Sequence, residues 1–244
     1  MYLSVIIPAY NEEKRLPETI RKIDEYLKKQ PYDYEIIVVS DGSKDKTVEI
    51  AESLALDIRN LRVIENKENH GKGYVIRQGM LEAKGDYRVF TDADNSTSID
   101  HVEKMFPEFQ NGAAVVIGTR DSRDHKDARQ AYPQPYYRRF LGDVFNIFVQ
   151  VLLGFYGIWD TQCGFKGFTK EAAETIYRKC LVDRFAFDAE VLSIARKLKY
   201  KIKKVPVYWI NSPNSTVKFG GANGMTKMAM DLLKIKWDLL TGKY

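Results

Sequence analysis

Short apolar runs alternate with helically spaced segments through the first half of this chain, and few architectures accept that pattern. Leu3 to Ile7 reads as a buried strand halted by Pro8, and Leu16, Ile20, Ile23 and Leu27 follow at helical spacing behind Pro17. Glu35 to Val39 is a second strand, followed by a helix with Val48, Ala51 and Ala55 on one face. Leu61 to Glu65 is a third strand, Gly71 to Lys84 a third helix, Asp86 to Phe90 a fourth strand and Ala113 to Thr119 a fifth. Strands that alternate with helices predict an α/β fold: a Rossmann-like, doubly wound, mostly parallel sheet with helices on both faces. In such sheets ligands bind outside the carboxyl ends of the strands, so the residues just after each strand matter most.

The second half has another rhythm. Residues 121–139 are polar with no clear period, and a loop that long is commonly functional. A helix is expected over Tyr137 to Tyr156, a strand over Cys163 to Phe168, helices over Lys170 to Cys180 and Asp188 to Leu198, and a strand over Ile202 to Trp209. A last helix, Gly224 to Leu240, carries Met225, Met228, Leu232, Ile235 and Leu239 on one stripe. No Gly/Ser linker divides the halves, so residues 1–244 are expected to form a single domain, split functionally at 120/121.

Charge and cysteine usage narrow the partners. Thirty-eight Lys and Arg against 33 Asp and Glu give a net charge of +5, which suits anionic small molecules or an anionic membrane surface and is too small to argue for nucleic acid. The two cysteines, Cys163 and Cys180, have no metal-ligand spacing, and free thiols in a reducing compartment are expected. No charged-then-apolar leader precedes Leu3, and no uninterrupted apolar run reaches the roughly 20 residues of a membrane span. The expected location is cytoplasmic, including the cytoplasmic face of a membrane.

Three strand ends carry chemistry. After the fourth strand comes Asp92-Ala93-Asp94, two carboxylates able to hold Mg²⁺ or Mn²⁺ against a diphosphate, with a solvated turn as the plainer alternative. After the first comes Pro8-Ala9-Tyr10-Asn11-Glu12: Tyr10 offers a plane for a base and Glu12 an acceptor for ribose, unless Asn11 and Glu12 merely cap the next helix. After the second, Asp41 offers an acceptor to a base or ribose, or simply a turn with Gly42. His70-Gly71-Lys72-Gly73 opens the third helix, where glycines allow close approach and the helix N-terminus favours an anion beside Lys72. Neither a Walker loop nor a dinucleotide fingerprint is present.

In order along the chain, Pro8-Ala9-Tyr10-Asn11-Glu12, Val39-Ser40-Asp41-Gly42-Ser43, His70-Gly71-Lys72-Gly73, Asp92-Ala93-Asp94 and Ile117-Gly118-Thr119-Arg120 resemble the motifs of family 2 glycosyltransferases of the GT-A fold. Asp160-Thr161-Gln162-Cys163-Gly164-Phe165-Lys166 and Phe185-Ala186-Phe187-Asp188-Ala189-Glu190 resemble the dolichyl-phosphate glucose synthase branch, related to the mannose synthases. The resemblance implies inverting transfer of a hexose from a nucleotide sugar, UDP-glucose preferred over GDP-mannose, to a polyprenyl phosphate, with Mg²⁺ or Mn²⁺ as cofactor. It implies that residues 1–120 bind the donor and 121–244 the acceptor. Pro8, Tyr10, Glu12 and Asp41 would bind the nucleoside. Asp92 and Asp94 would hold the sugar diphosphate and metal, Asp94 as the direct ligand. Lys72, Arg120 and Lys218 would meet donor phosphates, and Arg138 or Arg139 the acceptor phosphate. Ser96 stands where mannose synthases commonly carry a Gln ligand, which argues against a strict mannose synthase.

An ionised phosphate acceptor needs steering by arginine more than a general base, whereas a hydroxyl acceptor would need one. Asp188 and Glu190 are candidates for that base, for anchoring the acceptor, or simply for complementing a helix N-terminus. Phe140, Val144, Ile147, Phe148, Val151, Leu152 and Phe155, behind Arg138 and Arg139, describe either a core helix or one lying on a membrane. The rival readings are transfer to a soluble or glycan hydroxyl, and a sensor that binds nucleotide sugars without turnover.

Overall fold

The computed structural model describes residues 1–131, 136–210 and 221–244, with the side chains of 136–141, 145, 221–223 and 225 outside that description. Five strands rise in the first half: β1 (Leu3–Ala9), β2 (Tyr34–Asp41), β3 (Leu61–Asn66), β4 (Tyr87–Thr91) and β5 (Val115–Thr119). Between them run α1 (Leu16–Leu27), α2 (Thr47–Asp57), α3 (Lys72–Glu82), a 3-10 turn at Ile99–Lys104 and α4 (Phe106–Gln110). The second half contributes β6 (Arg129–Gln130), α5 (Tyr136–Leu153), β7 (Phe165–Thr169), α6 (Lys170–Tyr177), α7 (Phe187–Lys197), β8 (Ile202–Pro206), β9 (Tyr208–Trp209) and α8 (Gly221–Leu240).

The main sheet has the order β3-β2-β1-β4-β7-β5-β8. β1 pairs in parallel with both β2 and β4, and β5 in parallel with β8, while β7 runs antiparallel between β4 and β5. Every residue of β1 and β2 is buried, as expected for central strands covered on both faces. Alternation then sorts their side chains. Ile6, Ile37, Val39 and Phe90 face a layer that includes Ile76 of α3, Phe187 and Leu192 of α7, and Leu232 and Ile235 of α8. Val5, Ile7, Ile36, Val38 and Val89 face Leu16 and Ile20 of α1, Leu54 of α2, and Val102 and Phe106 beyond β4. The winding reverses between β1 and β4, which places a crevice at the carboxyl ends of those two strands.

Some elements depart from the sequence reading. The expected strand over Ile202 to Trp209 is two, because the chain leaves β5 after Pro206 and pairs Tyr208 and Trp209 with Arg129 and Gln130 instead. Part of the polar segment 121–139 is thereby tied down as β6. The 3-10 turn and α4, which lack a full helical period, were not foreseen; their Val102, Phe106 and Phe109 complete one core. The stripe expected on α5 faces mostly outward: Val144, Ile147, Phe148 and Val151, at helical spacing, are exposed, while Leu152 packs on the core and Phe155, beyond the helix, is buried. Among the described residues no helix is long and apolar enough to cross a membrane.

Candidate active site

Two loops at the carboxyl ends of β1 and β2 are laced to each other. Asn11, in the left-handed region at φ 55°, donates its amide to Ser43 Oγ and accepts from the Lys44 amide, and the Glu12 amide donates to Thr47 Oγ1 at 2.7 Å. This lacing leaves Tyr10 projecting, 44% exposed, with its ring available to a flat ligand. Pro8 and Ala9 complete the β1 register against Val39 and Ser40. The Glu12 carboxylate is held by Arg15 at 2.7 Å; burial raises its pKa above the usual carboxylate range, with Arg15 opposing.

Asp41 sits at the end of β2, buried, and takes the His70 amide on one oxygen at 2.7 Å and the Gly71 amide on the other at 2.9 Å. The carboxylate therefore fixes the entry to α3. The Tyr74 amide donates in turn to the Asp183 carbonyl. Three amides of this turn, those of His70, Gly71 and Tyr74, are thus spent on protein acceptors. Lys72 is the cation that the turn offers an anion. Gly71, at φ 111°, and Gly73 are required here: a Cβ on the first would overlap the Asp183 carbonyl, and on the second the Val182 carbonyl.

Lys72 reaches across to Asp92, Nζ to Oδ1 at 2.5 Å. Burial disfavours its charge, but Asp92 and then Asp188 more than offset that and hold its pKa above the ordinary lysine range. Asp94 accepts from the Ser96 amide at 2.9 Å and lies 3.7 Å from Arg15. Each acid of the pair at the end of β4 is therefore matched by a cation from another element. Gly164, just before β7, lies against Asp92 so closely that a Cβ would overlap the carboxylate. The Ser96 hydroxyl is buried with no hydrogen-bond partner among the described residues. Carboxylate and hydroxyl oxygens are the hard donors that Mg²⁺ or Mn²⁺ prefers, so the residues fit such an ion. The described residues hold no cluster of three His, Cys, Asp or Glu. Two carboxylates plus phosphate oxygens and water are a usual set for Mg²⁺.

Beneath this pair lies a second ion pair. Lys166, fully buried on β7, donates to Asp188 at 2.5 Å and to the Cys163 carbonyl at 2.6 Å, with its ammonium 5.4 Å from the Phe90 ring centre. Burial raises the Asp188 pKa, while Lys166 and Lys72 oppose it. Glu190 is also buried; it accepts the Leu181 and Val182 amides and the Tyr244 hydroxyl. Arg120, just past β5, is clamped by Asp160 through its backbone amide, Nε and Nη2 at 2.8–2.9 Å, and its guanidinium lies over Trp209. Asp124 anchors the next loop by accepting from Thr119, Lys204 and the amides of Trp159 and Asp160.

Tyr10, Lys72, Asp92 and Asp94 thus border the crevice, and Glu12 and Asp41 hold its loops. Arg138 and Arg139 lie in the first turns of α5 with side chains outside the described set, and Lys218 lies outside the described residues. Arg15, Lys166, Asp160 and Gly164 were not singled out as site residues from sequence. Asp160, Gly164 and Lys166 lie within the Asp160–Lys166 motif, whereas Arg15 reads as an ordinary helix-start cation and carries no signal.

Residues 4–177 match the family model described as Glycosyl transferase family 2. A dolichyl-phosphate beta-glucosyltransferase of Trichomonas vaginalis is 39% identical over 245 positions, spanning 96% of this chain and 73% of that protein. A dolichyl-phosphate beta-glucosyltransferase of Homo sapiens is 37% identical, spanning 99% of this chain and 77% of that protein. Among solved structures, glucosyl-3-phosphoglycerate synthase from Mycobacterium tuberculosis, in complex with Mn²⁺, UDP-glucose and phosphoglyceric acid, superposes with a TM-score of 0.71 at 18% identity, over 96% of this chain and 79% of that one. Mannosyl-3-phosphoglycerate synthase from Rubrobacter xylanophilus gives 0.70 at 16% identity, over 100% of this chain and 76% of that one. At such identities the likeness is one of fold.

Proposed function

The chain belongs to glycosyl transferase family 2, with the GT-A fold, and on that premise we propose that it moves glucose from UDP-glucose to a polyprenyl phosphate with inversion. The observation that carries the reading is the acid pair Asp92 and Asp94 at the β1/β4 crevice, each matched by a cation, Lys72 and Arg15. A nucleotide-sugar bond breaks with negative charge growing on the leaving diphosphate. Lys72 and Arg15, beside the acid pair, would meet that charge, and preorganised cations in a closed site are worth several kcal/mol, on the order of 3. Asp94 and Asp92 would hold Mg²⁺ or Mn²⁺, whose chemistry is to neutralise the diphosphate. Tyr10 would stack the base, with Pro8, Glu12 and Asp41 shaping the nucleoside loops. Residues 1–120 would then serve the donor and 121–244 the acceptor, within one domain.

A phosphate acceptor is already ionised and needs no base. The buried lock of Asp188 on Lys166 accords with that, since a base must be free to take a proton. Arg138 or Arg139 would steer the acceptor phosphate, and Arg120 and Lys218 the donor phosphates. A lipid acceptor also accounts for the outer faces of α5 and α8. Ile147, Val151, Leu233, Trp237 and Leu240 are all exposed, with Lys227 and Lys234 beside them, a pattern suited to an anionic membrane surface.

The test is single-turnover reaction with UDP-glucose or GDP-mannose, Mn²⁺ and a polyprenyl phosphate. Glucose on lipid phosphate, formed faster from UDP-glucose, is expected. Tight donor binding with no sugar release in any acceptor mixture would mark a sensor, and transfer to hydroxyl acceptors alone would overturn the acceptor.

A further inference from the structure

Between the loop that precedes α7 and the first turns of α8 lies a slot of about 160 Å³. Its walls are mostly carbon, from Phe185, Ala186, Gly224 and Met228, and Arg184, Lys227 and Asp231 stand at its rim. Of its lining residues only Lys227 has been given a role above. A cavity near 150 Å³ with aliphatic and aromatic walls holds a six-carbon ring. A branched five-carbon unit is one carbon smaller, so the slot has room for a single isoprene unit and not for a sugar or a base with its polar edges.

The rim has the matching charge. Arg184 and Lys227 supply two cations against the one carboxylate of Asp231. Arg184 is half exposed and meets Asp231 at 3.3 Å. Exposed pairs of this kind are worth little, so the guanidinium can leave Asp231 for a better anion. Packed residues link the slot to the acid pair. The rim residue Arg184 presses its backbone against Gly71 and Gly73, where no Cβ fits, and Lys72 between those glycines holds Asp92. Phe187, the first residue of α7, packs on Phe90 of β4, the strand that ends at the acid pair.

We propose that this slot receives the first isoprene unit of the acceptor, with Arg184 and Lys227 joining Arg138 or Arg139 at its phosphate; the proposal rests on the polyprenyl phosphate reading above. An apolar chain bearing an anion at one end is the occupant that matches both the carbon walls and the cationic rim.

The experiment uses the full chain and measures transfer from UDP-glucose to geranyl and farnesyl phosphate, with inorganic phosphate as competitor. Gly224→Leu fills the slot from the helix side, and its folding is checked by thermal melting. It is expected to raise the acceptor KM about tenfold or more, as loss of several buried methylenes should, with the KM for UDP-glucose unchanged. Asp231→Asn frees Arg184 and is expected to lower the acceptor KM, and Lys227→Glu, an exposed change that spares the core, to raise it. An unchanged acceptor KM in both Gly224→Leu and Lys227→Glu overturns the slot while leaving the acceptor class intact. If the unaltered chain uses no isoprenyl phosphate while still releasing sugar to another acceptor, the acceptor reading itself falls and the slot with it.

Discussion

Replacing Asp188 by Asn separates a structural counter-ion from a catalytic base. Lys166 is fully buried on β7, and its ammonium is hydrogen-bonded to Asp188 and the Cys163 carbonyl, with the neutral Phe90 ring 5.4 Å away. Asn keeps the shape and removes the charge, so the change leaves a buried cation without its partner. Breaking a buried pair from one side costs about 3–5 kcal/mol. In a domain of this size each kcal/mol moves Tm by about 2–4 °C, so a fall of roughly 6–20 °C is expected. The double variant Lys166→Met, Asp188→Leu removes both charges and should recover most of the loss, because exchanging a whole buried pair for apolar groups is close to neutral. Thermal melting of the unaltered protein, both single variants and the double variant measures this directly. Transfer to a phosphate acceptor, assayed well below the lowered Tm, should persist in part in Asp188→Asn. An unchanged Tm, or a double variant no better than the single ones, would refute the pairing argument. Loss of all transfer at full stability would instead make Asp188 a base.

Three further outcomes follow from the geometry. Asp94→Ala should abolish the Mn²⁺-dependent part of UDP-glucose affinity, read by titration with and without the metal, while leaving the fold intact; undiminished stimulation by Mn²⁺ would remove Asp94 from the ligand set. Gly164→Ala forces the Asp92 carboxylate off its seat beside Lys72 and should cost roughly 100-fold in kcat/KM for the donor, the usual scale for a displacement near 1 Å. Burial works against the Asp160 charge, but Arg120 outweighs it and holds the pKa below the usual carboxylate range. Because the folded value lies below the unfolded one, this stability is complete above about pH 4 and is lost as pH falls through the depressed value. Urea midpoints from pH 6 down to 2.5 should therefore fall less steeply in Asp160→Asn than in the unaltered chain.

Much of the fold was legible because its signals are local. An apolar run fully buried in a parallel sheet and a four-three-four helical spacing both lie within a dozen residues, and β1 to β5 and α1 to α3 formed where they were expected. The strand ends were legible for the same reason, since the open α/β sheet puts its crevice at one edge and the polar residues there declare themselves. The limits appear where a residue's meaning depends on something far along the chain. Ile202 to Trp209 reads as one strand until the sheet shows Tyr208 and Trp209 paired with Arg129 and Gln130.

Sequence by itself thus determined the secondary elements, the class of sheet and the acid pair at its edge. Tertiary structure decided the charge partners around that pair. Lys72 meets an acid 20 residues away, Arg120 one 40 residues away, and Lys166 one 22 residues away on a different layer. It also decided that Asp41 and Glu190 spend their oxygens on backbone amides, which no residue type announces. The physical reason is that desolvation and Coulomb energy depend on distance in space, and folding sets those distances only after the strands have found their order.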